Sequence, residues 1–112
     1  AIVFVKEIEN PRRFGVAEIR GGKVVSIEDK PAKPKSNFAV TGLYIYDNRV
    51  FEIIKGLQPS KIGELEITDV SNHYIKSGEL RYSFVKGFWS DAGTLSSLYK
   101  AASFVKEKRE SE

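Results

Sequence analysis

The run FAVTGLYIY, Phe38 to Tyr46, constrains the fold more than any other stretch of this chain. It is β-rich and apolar at nearly every position, whereas a half-exposed strand alternates. A strand of this kind is expected at the centre of a sheet, covered on both faces, as in parallel or mixed α/β sheets. Such a strand needs neighbours and cover, and the rest of the sequence can be read for both.

Neighbouring strands are expected at residues 2–8, Phe14–Ile19, Lys23–Ile27 and Leu80–Val85, with Asn10–Pro11 and Gly21–Gly22 as turns. Val50, Ile53, Ile54 and Leu57 fall at helical spacing, ended by Gly56 and Pro59. Ile67, Val70, Tyr74 and Ile75 predict the buried face of a second helix, stopped at Gly78. Thr94 suits an N-cap for a third helix, with Leu95, Leu98, Tyr99, Ala102 and Val105 as its inner face. The pattern predicts an α/β fold, a mixed sheet with three helices. Three helices are few for a sheet buried on both sides, so part of the sheet is expected to be missing from the chain.

Composition narrows the function classes. No cysteine excludes disulfides, thiolate zinc sites and a thiol nucleophile, and fits a cytoplasmic protein. No apolar run approaches the ~20 residues of a membrane helix, so no membrane partner is expected. Ala1–Val5 reads as a strand, not as a signal peptide, and the absence of methionine suggests a gene that begins upstream. A net charge of +3 permits an anionic ligand. The basic residues do not interleave with aromatics in a stacking groove, so no nucleic-acid partner is expected.

A few residues carry candidate chemistry. Asp91, in FWSDAGT, is a possible Mg²⁺ ligand. It is equally a residue that helps to cap the helix after it, the simpler reading on local grounds. Lys30, between Asp29 and Pro31, suits a phosphate as a point charge, or a solvated surface pair. Gly15 marks a bulge or a close approach of the backbone to a ligand such as a sugar ring. Arg12 and Arg13 suit an anion but read more simply as solvent-facing, and Lys33 and Lys35 read as solvated loop charges. His73, the single histidine, has no partners for a metal cluster.

Five segments in order, NPRRFGVAEI, SIEDKP, KPKSNFAVTGLYIYDNRVF, GELEITDVSNHYIKSGEL and FWSDAGTLSSL, resemble the second half of the sugar-1-phosphate nucleotidyltransferases. The resemblance is nearest to the thymidylyltransferases that act on glucose 1-phosphate. It runs over residues 1–106, leaving 107–112 as a charged tail expected to fray. It implies the C-terminal part of a Rossmann-like nucleotidyltransferase fold. It also implies a Mg²⁺-dependent transfer in which the sugar phosphate attacks a nucleoside triphosphate and pyrophosphate leaves.

Under this resemblance Lys30 would hold the sugar phosphate and act as the catalytic cation, and Asp91 would ligate Mg²⁺. Phe14, Gly15, Asp29 and Val40 would contact the sugar, and Trp89 would wall the site. The chain departs from the family at Asp29, where Glu is usual, at Phe14, where Tyr is commoner, and at Ile62, where an Arg is expected, with Lys61 beside it. The family's glycine-rich nucleotide loop and first metal-binding Asp are not in this sequence. Two expectations follow. Either the chain works with a missing N-terminal half, or in a homo-oligomer, and is inactive alone, or it is a stand-alone module that binds sugar phosphate or serves in assembly.

Overall fold

A computed structural model of the chain describes residues 1–59, 63 and 66–111. Lys61 and Ile62, and Glu64 and Leu65 of the GELEITD segment, lie outside the described residues.

The strands are β1 (Ile2–Glu7), β2 (Gly15–Arg20), β3 (Lys23–Asp29), β4 (Phe38–Ile45) and β5 (Arg81–Phe84); the helices are α1 (Arg49–Lys55), α2 (Ile67–Lys76) and α3 (Leu95–Glu110). A short 3₁₀ turn at Pro11–Arg13 joins β1 to β2. The sheet runs β3-β2-β4-β1-β5, so the apolar run does occupy its centre. β1 pairs antiparallel with β4 and parallel with β5, which makes the sheet mixed. The architecture is α/β, as the sequence predicts.

One face of the sheet is sealed. Val3 and Val5 of β1, with Ala17, Val24 and Ile27, pack against Val70 and Tyr74 of α2 and against Leu80. Strand residues alternate between faces, and on the other face β4 is open: Leu43 is 57% and Ile45 52% exposed. The expectation that this strand is covered on both faces is therefore corrected. Both sheet-packing helices lie against the Val3 and Val5 face, and no described residue seals Leu43 and Ile45.

Two helix faces also differ from expectation. Ile67 is 45% exposed, so the buried side of α2 begins at Val70. In α3 the predicted inner residues Leu95, Leu98, Tyr99 and Val105 are all more than half exposed. This helix is instead held at its start, where Ser97 is buried, and by Phe104, which stacks on Phe88 at 4.1 Å. Lys35 is no free loop charge. It reaches Glu28 at 3.2 Å and Glu18 at 3.8 Å, pinning the 31–37 loop across β2 and β3.

A polar knot fixes the helices to the sheet end. Arg49 donates to Asp47 at 2.6 Å and to both Glu79 oxygens at 2.8 and 2.9 Å, while the Tyr74 hydroxyl donates to Asp47 at 2.8 Å. The Arg49 hydrogen bonds hold Asp47 and Glu79 down to about 2, from 3.8 and 4.5. Acids depressed in this way bind fewer protons folded than unfolded, so their stabilisation exists above pH 4–5 and is lost as pH falls toward 2. Arg49→Met is expected to lower Tm at neutral pH, and the gap from wild type should close between pH 4.5 and 2 in thermal scans by circular dichroism. Leu80→Ala empties a fully buried position and should cost about 2–5 kcal/mol in urea unfolding.

Candidate functional site

The loop 85–94 leaves the carboxyl end of β5 and brings Trp89, Ser90 and Asp91 back to the sheet. There they meet the start of β2, the end of β3 and the middle of β4 around a pocket of about 270 Å³. Six residues singled out from separate segments line this pocket together: Phe14, Gly15, Asp29, Val40, Trp89 and Asp91. Tyr44 and Ser71, which the sequence reading did not select, complete its sheet and helix sides.

Gly15 starts β2 and makes no bulge; the irregularity in this strand pair falls between Glu18 and Ile19. A methyl group built on Gly15 would sit 3.6 Å from Val40 Cβ and 3.7 Å from Ile27, on the pocket floor. Both distances are ordinary van der Waals contacts, so packing does not require glycine here. The Phe14 ring stands edge-on to Trp89, with centroids 5.2 Å apart. These two aromatics fix the wall between the 3₁₀ turn and the loop 85–94.

Lys30 is exposed and does not line the pocket; it sits at its rim, one residue past Asp29. Its φ is +50°, and it is the one non-glycine residue with positive φ among those described. A side chain in the left-handed region costs roughly 1–2 kcal/mol. The conformation is held by the Lys30 N–H, which donates to the Phe14 carbonyl at 3.0 Å. Such strain persists only where the surrounding structure holds the backbone in place.

Asp91 takes the capping role read for it. Its Oδ2 accepts from the Gly93 N–H at 3.1 Å, from Ser97 Oγ at 3.2 Å and from Arg13 Nη2 at 2.7 Å. Thr94 and Ser97 form a reciprocal capping box at the start of α3, so Asp91 reinforces the cap through Ser97. Desolvation works to raise its pKa, but the Gly93 N–H and Arg13 outweigh it, and the carboxyl stays below its ordinary value. On the sheet side, burial first and then the Tyr46 and Asp29 charges push the Tyr44 phenol up.

Arg13 is exposed, as read, and it also pairs with a residue 78 positions away. No local signal marks that pairing, because the fold alone brings the two together.

Among the described residues no three histidine or acidic side chains converge on a metal. Mg²⁺ keeps several waters and phosphate oxygens and needs only one or two protein carboxylates. Every hydrogen bond described on the Asp91 carboxylate falls on Oδ2, and none on Oδ1. The donor set therefore fits one carboxylate's share of such a site.

The nucleotidyl transferase family matches residues 1–108. The glucose-1-phosphate thymidylyltransferase of Neisseria meningitidis is 52% identical over 108 residues, covering 94% of this chain and 38% of that protein. That of Xanthomonas campestris is 46% identical, over 94% of this chain and 37% of its own length. Among solved structures, a Bacillus anthracis protein assigned as a glucose-1-phosphate thymidylyltransferase, in complex with a sucrose, superposes with a TM-score of 0.84. It is 50% identical and covers 92% of this chain and 42% of its own. Apo UDP-glucose pyrophosphorylase superposes at 0.82 with 28% identity, over 96% and 43%. The chain thus spans well under half the length of these relatives, and it belongs to the nucleotidyl transferase family.

Proposed function

We propose that this chain is the sugar-phosphate-binding portion of a nucleotidyltransferase that joins glucose 1-phosphate, or a related sugar phosphate, to a nucleoside triphosphate. One observation carries the reading: residues drawn from four separated segments, 14–15, 29, 40 and 89–91, meet in one pocket of sugar size. In the reaction a phosphate oxygen of the sugar 1-phosphate forms a bond to the α-phosphorus of the triphosphate. The bond to pyrophosphate breaks, and the nucleoside diphosphate sugar results. Little covalent chemistry falls to the protein, so positioning and charge neutralisation supply the catalysis.

Placement in and beside the pocket supports the following roles. Gly15 and Val40 present a low floor on which a sugar ring can rest. The Asp29 carboxylate accepts hydrogen bonds from sugar hydroxyls. Lys30, beside it on the rim, swings its ammonium over the phosphate. Asp91 would hold Mg²⁺, which when bound neutralises phosphate charge as it builds up. Turnover would draw on a nucleotide-binding portion supplied by a partner or by further chain. The open Leu43 and Ile45 face supports such a contact, with a second copy as the alternative occupant.

Isothermal calorimetry with glucose 1-phosphate tests the reading. The wild-type chain is expected to bind, and Lys30→Met to weaken binding tenfold or more, the value of a charged hydrogen bond of about 1.5–3 kcal/mol. Absence of binding to the wild-type chain would overturn it. The backbone gives an independent measure. Lys30→Gly should be about 0.5–1 kcal/mol more stable than Lys30→Ala in urea unfolding, because relief of the left-handed strain exceeds the entropy that glycine adds to the unfolded chain. A Lys30→Gly variant about 0.5–1 kcal/mol less stable than Lys30→Ala, the entropy cost of glycine alone, would show that residue 30 carries no strain.

A further inference from the structure

Arg13 and Asp91 form an ion pair at the place where a metal ion is expected. Arg13 Nη2 lies 2.7 Å from Asp91 Oδ2, with the side chains 54% and 22% exposed. The other two donors to that oxygen, Gly93 N–H and Ser97 Oγ, are neutral and belong to the loop and cap that build the residue's position. Arg13 is different: it comes from the 3₁₀ turn between β1 and β2 and contributes a full positive charge. Its guanidinium also lies 5.4 Å from the centroid of the Phe14 ring, itself part of the pocket wall.

A divalent cation on Oδ1 would share one carboxyl group with the guanidinium on Oδ2, close enough for the two cations to repel each other. An ion pair as exposed as this one is weak enough to exchange. The Phe14 ring face gives the guanidinium somewhere to remain once it leaves.

We propose that Arg13 is a displaceable counter-cation. It neutralises Asp91 and ties the 3₁₀ turn to the loop 85–94 until a divalent ion takes the carboxylate. The released guanidinium then stays at the pocket mouth on Phe14, where its planar donors suit a phosphate oxygen. Arg13 is thus a positioning residue that sets the affinity of the metal carboxylate. The inference rests on the reading of Asp91 as a metal ligand.

The test is a Mn²⁺ titration of the wild-type, Arg13→Gln and Asp91→Asn chains, with free Mn²⁺ read by electron paramagnetic resonance. It is paired with a Mg²⁺ titration of the wild-type chain that follows the Arg13 Nε–H resonance by NMR. Arg13→Gln is expected to bind Mn²⁺ roughly three- to fivefold more tightly, the scale of an exposed pair lost. Asp91→Asn should lose that binding, and the Arg13 resonance should move toward that of an unpaired arginine as Mg²⁺ saturates. If Asp91→Asn abolishes binding but Arg13→Gln matches wild type, or the Arg13 resonance stays in place at saturation, displacement is overturned and the metal reading stands. If Mn²⁺ fails to bind, or binds Asp91→Asn as well as wild type, the metal reading falls and takes this inference with it. Should Arg13→Gln not fold, the Nε–H resonance of the wild-type chain decides alone.

Discussion

The parallel pairing of β1 with β5 is the contact on which the rest of the site depends. It matches Ile2, Val3, Phe4 and Val5 with residues 81–84, joining the start of the chain to a strand some 80 positions later. Without it the loop 85–94 has no fixed origin, and Trp89 and Asp91 have no reason to face β2 and β4. The pairing is secured from beneath by Leu80 and Tyr74, both fully buried, and at its near end by the Ala1 carbonyl, which accepts from the Arg81 N–H at 2.9 Å. At the far end the Val85 N–H donates to the Val5 carbonyl at 2.9 Å. A pocket at the carboxyl end of a strand in an open α/β sheet is the usual outcome of this geometry, since loops leave the sheet there while the backbone stays rigid below.

Most of the architecture was legible because period and punctuation agree along the chain. The apolar run at 38–46, the glycine pair at 21–22 and the Thr94 cap each fix an element by local physics. What was not legible is cover. Nothing local in FAVTGLYIY says which face a neighbouring layer will seal, and Leu43 and Ile45 stay open although they are as apolar as Ala39, which is fully buried. The same holds for α3. Its capping box fixes where the helix begins, but Leu95, Leu98, Tyr99 and Val105 are apolar residues for which no packing surface is described. Hydrophobic spacing shows that a face exists, and only tertiary context shows whether it is filled.

The candidate site divides in the same way. Gly15, Asp29 and Val40, each singled out from its own motif, line one pocket. Residues that act through a partner far along the chain do not announce themselves. Arg13 looks like any surface arginine until the fold sets it 2.7 Å from Asp91. Lys30 is intermediate. Its place after a strand is readable, but its left-handed backbone is not, because a lysine offers no conformational signal of the kind a glycine would.

Residues 13 and 14 connect the two sides of the pocket. The Phe14 carbonyl holds the Lys30 N–H, the Phe14 ring braces Trp89, and Arg13 beside it pairs with Asp91. The rim that carries the lysine and the loop that carries the carboxylate are therefore joined through one dipeptide between β1 and β2. A change in charge at Asp91 reaches Arg13 directly, and any shift of the 3₁₀ turn that follows is passed to the Lys30 backbone through a single hydrogen bond. Lys30 is where such a shift would register most, because a residue already in a strained conformation depends on that bond to stay there. The geometry thus couples the Asp91 side of the pocket to the Lys30 side through two covalently adjacent residues.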